Sequence, residues 1–475
     1  MDRPTDPKDR IVILGGGLTG LSAGLVLSRA GRGVLVLERD PEVGGLARTI
    51  ARGGFRFDLG GHRFFTKDEK VAAFLDDLMG GELVTVPRTS KILLKNRYFD
   101  YPLRPFNALF GLGVPTTIRS LLDYAGQRIA RGFKKTPIVS LEDWVVDRFG
   151  RTLFDIYFKE YSEKVWGLGC ERICMEWIDQ RIQGLSLRRA IKEAFLGGSG
   201  GGMATLADRF LYPARGIGRI AENLREGIER NGKVLTDARI GELRHDGLRL
   251  ERAVVDGPGS PRDFPGEEFV STLPLTSLVN MLCPRPPEDV LRAAAQLRYR
   301  DLVIVAVMLN RPRATDQTWI YVPERSVPFG RIHEPTNWSG QMAPAGKTLL
   351  VTEHFCWRGD DAWRMTDERL IGNTVSHLAR LGFVKPEEVE DAAVVRVPHA
   401  YPVFEVGYEK SYRTILGCLG RFENLHVAGR TGAFKYLNMD HVISAGIDTA
   451  QRIIARTPAD LEMDGEDAGM AELNA

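Results

Sequence analysis

The feature that most constrains this chain is the stretch "RIVILGGGLTGLSAGLVLSRAGRGVLVLERD" close to its start. A short apolar strand enters a glycine turn with Gly15, Gly17 and Gly20 in G-x-G-x-x-G spacing, a helix opens at Leu18 and Thr19, and a second strand ends at Glu38 and Arg39. The first glycine permits the tight turn and the second lets backbone approach a pyrophosphate. The third allows close helix-to-strand packing, and the helix N-terminus attracts phosphate charge. Glu38 is placed to reach a ribose hydroxyl. A lone glycine fingerprint is weak, but strand, turn, helix, strand and acid in that order within about thirty residues specify an α/β, Rossmann-like dinucleotide site.

The identity of the dinucleotide follows from "PEVGGLART", which adds Gly44, Gly45, Leu46 and Arg48 directly after the acidic strand end. This resembles the second signature of FAD-binding proteins of the amine oxidase and protoporphyrinogen oxidase superfamily, so FAD is the expected cofactor. The segment "FDLGGHRFF" would bring Gly60, Gly61 and His62 to the flavin ring, although such a histidine taken alone is more often structural. Four hundred residues later, "NLHVAGRTGAFKYLNMDHVISAGIDTAQRII" reads as a strand over Leu425 to Ala428, a loop with Gly429 and Arg430, and an amphipathic helix beginning near Asn438, Met439 and Asp440. A helix start presents unpaired N–H groups and partial positive charge, worth roughly 0.3–1 kcal/mol near an anion. Aimed at the N1–C2=O edge of a reduced flavin, it would favour that form; the alternative is that Asn438 or Asp440 only caps a docking helix. Between these ends, "FLYPARGIGRIAENL" and "FVSTLPLTSLVNML" look like middle returns of the chain to the cofactor domain, with Val234 near the adenine.

The resulting domain plan is discontinuous: FAD-binding parts at 8–95, 204–275 and 420–456, a helical substrate-side insert at 96–203, a β-sheet substrate domain at 276–419 and a disordered acidic tail at 457–475. Ser140 starts the helical run, and "LVIVAVMLN" and "KTLLVTEHFCW" supply the sheet. "GGSGGG", Gly197 to Gly202, reads as a linker or a mobile loop. With 475 residues, 43% hydrophobic, and a net charge of +2, the chain can bury a large core and shows neither a nucleic-acid footprint nor a polybasic membrane patch. No apolar run is long enough to span a membrane or act as a signal peptide, so a cytoplasmic protein is expected. Five cysteines, Cys170, Cys174, Cys283, Cys356 and Cys418, are odd in number and lack zinc spacing, so free thiols and no metal are expected.

Four further motifs, "GGHRFFTKDEKV", "YSEKVWGLGCERICMEWIDQRI", "PHAYPVFEVGY" and "AGRTGAFKYLNMDHVI", together resemble the UDP-galactopyranose mutases, with related patterns in the wider superfamily. In that family reduced flavin N5 attacks the anomeric carbon of a nucleotide sugar, so the flavin is a nucleophile without net redox turnover. The resemblance implies a nucleotide-sugar substrate and a reductant such as NAD(P)H, and leaves the oligomeric state open. It matches Arg181 and Arg331 to diphosphate-binding arginines, Tyr401 and Tyr436 to tyrosines of the diphosphate region, Arg430 and Asn438 to residues around cofactor or sugar, and His62 to the histidine beside the flavin. Trp166 is a sugar or uridine wall or a core residue, and Trp338 stands where the eukaryotic mutases are expected to carry a tyrosine. The competing expectations are an FAD oxidase or dehydrogenase acting on an amine, porphyrinogen or polyene, and a flavin-stabilised binding protein.

Overall fold

The computed structural model describes residues 10–101, 113–133, 137–175, 209–257 and 261–455, without the side chains of 130–133. Arg181, Gly197 to Gly202, the part of the helical reading beyond residue 175 and the acidic tail lie outside the described residues.

"IVIL" at Ile11–Leu14 is buried at every position, as a strand covered on both faces requires, and it forms the centre of a five-stranded parallel sheet. Val34–Leu37 and then Lys233–Leu235 lie on one side of it, Glu268–Ser271 and then Leu425–Val427 on the other. The sheet therefore gathers strands from the beginning, middle and end of the chain. Val234 pairs with Val36 within it.

The helix Leu18–Arg29 leaves the first strand, and the terminal helix Met439–Ala455 packs against it. Gly446 makes that approach possible, since a Cβ there would lie 2.4 Å from the Thr19 carbonyl oxygen. From this crossing point the terminal helix reaches back seven residues, about 10 Å, to its start at Met439.

A second sheet of seven strands runs in the order Val389–Pro402, Tyr299–Leu309, Thr348–Cys356, Arg331–His333, Trp319–Tyr321, Ser90–Leu94, Arg97–Asp100. Its pairings are antiparallel except for Trp319–Tyr321 beside Ser90–Leu94. The expected boundary at residue 95 falls in the hairpin joining its last two strands; both belong to this sheet because Ser90–Leu94 pairs with Trp319–Tyr321. Period-2 alternation divides the sheet between two cores. Leu302, Ile304, Ala306 and Met308 join the core shared with the parallel sheet, whereas Val303, Val305, Val307 and Leu309 face the core that includes Leu370 and Leu378 of helix Asp367–Arg380.

Helix Leu141–Phe149 is closed at its start by a reciprocal cap between Ser140 and Asp143, so the acid that completes the motif is the aspartate rather than the glutamate beside it. A wide π-helical turn, Phe154–Lys159, leads into helix Glu160–Trp166, which stops at Gly167. The buried Arg300 donates to the carbonyls of Lys164 and Val165 at that end, satisfying acceptors a helix terminus leaves open. All five cysteines are free thiols. Among the described residues no helix is long and apolar enough to cross a membrane, and no cluster of His, Cys, Asp and Glu is suited to a metal.

Candidate active site

The dinucleotide end is assembled by backbone contacts between the two glycine motifs. Gly44 donates to Gly16 at 2.7 Å, forming a bridge between Gly17 and Gly44, and Gly45 lies against the Gly17 Cα. Beside Gly17, by contrast, nothing lies within 4 Å of where a Cβ would be, so the N-terminus of helix Leu18–Arg29 faces an open groove. The Glu38 carboxylate accepts from Gly16 N at 2.7 Å and Asp40 N at 2.9 Å, and burial raises its pKa despite those two bonds. Arg39 points outward, paired with Asp40, whereas Arg48 bonds the Gly45 carbonyl beside Leu46. At the far end Gly429 sits on Thr19, and Arg430 donates to the Leu437 carbonyl at 2.9 Å, folding the loop so that Asn438, Met439 and Asp440 start the terminal helix beside Arg430. Asn438 is exposed at that start.

The second half of the site lies on one face of the seven-stranded sheet. Because alternate residues share a face, Trp319, Tyr321, Arg331, His333, Val351, Glu353 and Phe355 project to the side of the core shared with the parallel sheet. Cross-strand register sets Tyr321 beside Arg331 and Arg331 beside Glu353. Arg331 is buried, donating to Glu353 at 2.9 Å, to the Tyr161 hydroxyl at 2.9 Å and to the Tyr401 hydroxyl at 3.1 Å. Burial alone pulls this guanidinium down; the fields of Tyr161, Tyr401 and Glu353 outweigh it and hold the group well above its ordinary value. Its planar cation also lies near the rings of Phe355 and Trp319, 4.9 and 5.4 Å from their centroids.

The other oxygen of Glu353 accepts from the Gly61 amide at 3.3 Å, so a single carboxylate joins the arginine to the Gly60–His62 loop. That loop lies flat on the Trp319 indole: a Cβ at Gly61 would overlap the ring at 1.8 Å, and Gly60 adopts a φ of +124°. His62 follows directly. Burial, then the charges of Arg430 and Arg331, push its imidazole down to about 4, so it is neutral at ordinary pH.

Tyr401 and Tyr436 stack with centroids 6.1 Å apart and planes 18° apart, and Trp166 meets both edge-on at 6.2 and 6.5 Å. The Arg430 guanidinium covers this pair at 4.8 and 4.4 Å. Arg63 rests on Phe210 and Trp319. His62, Arg331, Tyr401, Arg430, Tyr436 and Trp166 therefore come together, while Trp338 makes its ring contact elsewhere, with Tyr212 at 5.4 Å. Sequence reading passed over Tyr161, Trp319, Tyr321, His333 and Glu353. Tyr161 lies within "YSEKVWGLGCERICMEWIDQRI" and Glu353 within "KTLLVTEHFCW", but their place in the site, like that of the other three, follows only from strand register and packing.

The buried polar atoms around this space fit a flavin. His62 Nδ1, Trp319 Nε1, Arg430 Nε and both ring nitrogens of His333 have no hydrogen-bond partner among the described residues. A family model described as flavin containing amine oxidoreductase matches residues 18–454. The chain belongs to that family. Its cofactor is accordingly FAD.

Among solved structures the chain is similar to reduced UDP-galactopyranose mutase, at 22% identity and a TM-score of 0.80 over 96% of this chain and 98% of that one. It is also similar to a protoporphyrinogen oxidase homologue from Exiguobacterium sp. 255-15, at 17% identity and a TM-score of 0.71 over 94% and 98%. These likenesses establish the fold. All-trans-retinol 13,14-reductase of Macaca fascicularis is 38% identical over 82 residues, 17% of this chain and 13% of that protein. Phytoene dehydrogenase of Streptomyces griseus is 50% identical over 54 residues, 11% of each. The chain thus spans about a tenth of the length of the curated relatives it matches.

Proposed function

We propose that this flavoenzyme acts on a nucleoside-diphosphate sugar, as an isomerase of the UDP-galactopyranose mutase type that works with reduced flavin. The observation that carries this reading is the cationic, aromatic slot. Arg331, Arg430 and Arg63 converge on Trp319, Tyr321, Tyr401 and Tyr436, and neither Arg430 nor Arg63 has a carboxylate in salt-bridge range among the described residues. An amine substrate would bring a positive charge to three guanidiniums; a diphosphate meets donors suited to it.

Bound FAD in its reduced form supplies an electron-rich nucleophile for an anomeric carbon. The chain's own residues would do the rest. Arg331, fixed by Glu353 and Tyr161, and Arg430, fixed on Tyr401 and Tyr436, hold the diphosphate as negative charge grows on its bridging oxygen. Neutral His62 donates or accepts at the cofactor side without adding a cation. Trp166 closes the slot against water. Asn438, Met439 and Asp440 aim the positive helix end at the cofactor, and the likeness of fold to the mutase supplies a frame in which this arrangement fits.

Calorimetric titration of the reduced protein tests the reading: UDP and UDP-sugars bind, and Arg331→Ala and Arg430→Ala each weaken binding at least about tenfold, the value of one charge-assisted contact. No binding of any nucleoside diphosphate, or tight binding of an amine, would refute it. A second reading, a flavin oxidoreductase with net electron flow, is favoured by the family description and by the names of the retinol reductase and phytoene dehydrogenase relatives.

A further inference from the structure

The helix Val114–Phe133 is turned inside out. Its apolar residues Val114, Ile118, Leu121, Leu122 and Ile129 recur at helical spacing and form one face. They are 65, 53, 37, 68 and 65% exposed, whereas Thr117 and Ser120, on the side turned to the protein, are 5 and 2% exposed. The inward side is mixed, with Tyr124 packed against the apolar core. The Asp123 carboxylate accepts from Thr152 N at 2.7 Å, in the short helical turn Arg151–Leu153, and Gln127 is half-buried. A surface helix normally buries its apolar stripe, so this one presents to its surroundings the face that water disfavours.

The charge pattern names the occupant. Within the helix the basic residues are Arg119, Arg128 and Arg131, and the single acid, Asp123, is turned inward and engaged. Arg119 and Arg128 are exposed beside the stripe. Apolar side chains flanked by arginines and no outward carboxylate match the boundary between acyl chains and anionic headgroups. A basic amphipathic helix of this kind lies in the interface plane with its apolar face in the acyl boundary and its arginines at the anionic headgroups. The helix is 20 residues, about 30 Å, long, ample for lying in the interface plane.

We propose that the outward face of Val114–Phe133 docks the protein on an anionic membrane surface. This stands on exposure and charge alone and is independent of the substrate reading above. Sedimentation of the flavin-loaded, full-length protein with vesicles of phosphatidylglycerol and phosphatidylcholine tests it against vesicles of phosphatidylcholine alone. Binding to the anionic vesicles is expected, weakening with salt, falling at least about tenfold in Leu122→Asp and about fivefold for each of Arg119→Gln and Arg128→Gln. Flavin absorbance identifies variants that remain folded. In the unsubstituted protein, hydrogen exchange across residues 114–129 is expected to slow when anionic vesicles are added. No binding to anionic vesicles, binding unaffected by Leu122→Asp, or vesicle protection confined to other segments would each overturn the proposal. So would a dimer that Leu122→Asp converts to monomer, since a second copy would then be the occupant.

Discussion

Replacing Glu353 by Gln tests how the arginine of the site is held. Arg331 and Glu353 have side-chain exposures of 7 and 0%, so water cannot compensate either charge if its partner is lost. Glutamine keeps the shape but removes the negative charge, and its amide can satisfy only one of the two donors, Arg331 and the Gly61 amide, that now share the carboxylate. Breaking a buried pair by removing one partner costs about 3–5 kcal/mol. The retained hydrogen bond offsets roughly 1 kcal/mol of this, leaving an expected loss of about 3 kcal/mol. Urea unfolding of the FAD-bound protein, followed by flavin fluorescence and circular dichroism together, measures it. The double variant Arg331→Met with Glu353→Leu should recover most of the loss, because apolar residues of similar volume replace buried pairs at little cost. A loss below about 1 kcal/mol for Glu353→Gln, or a double variant as unstable as the sum of its single changes, would refute the buried-pair reasoning.

Three other predictions rest on separate parts of the molecule. Gly446→Val forces apart the first and last helices, whose contact leaves 2.4 Å for a Cβ, and is expected to lower stability by about 1–3 kcal/mol and weaken FAD retention; unfolding and flavin-release assays check both. His354 is buried and its imidazole is pushed down to about 3, so the folded state holds fewer protons than the unfolded chain and stability is lost as pH falls from about 6.5 toward 3. His354→Gln should flatten that part of a pH–stability curve. Asp58 has the opposite sign: burial raises its carboxyl to about 6 despite bonds from Thr49, Tyr212 and Ile217, so its contribution declines as pH rises from about 4 to 6, and Asp58→Asn should remove about 2–3 kcal/mol of that dependence.

Much of the cofactor side was readable in the chain because its signals are local. The Gly15–Gly20 turn, the Gly44–Gly45 pair and the terminal helix each announce themselves within a few residues, through turn geometry and helical periodicity. Ser140 announced a helix in the same way. Glu353 did not: the alternation in "KTLLVTEHFCW" places it on a strand, but only the register against Arg331–His333 sets it opposite the arginine, and register depends on contacts distant in sequence. Trp319 and His333 were hidden for the same reason. The expected cofactor part at 8–95 includes Ser90–Leu94, whose parallel pairing with Trp319–Tyr321 in the larger sheet is set by residues distant in the chain. The helix Val114–Phe133 gave the least away, since an apolar stripe in a sequence shows a face without showing which way it turns.

The most direct test of the account is turnover with electrons counted. Dithionite-reduced protein is incubated without oxygen with a panel of UDP-sugars, sugar products are separated by chromatography, and flavin absorbance is followed throughout. A sugar ring isomer is expected to accumulate over many turnovers while the flavin remains reduced. Oxidation or reduction of substrate in step with the flavin, and no isomer, would contradict it.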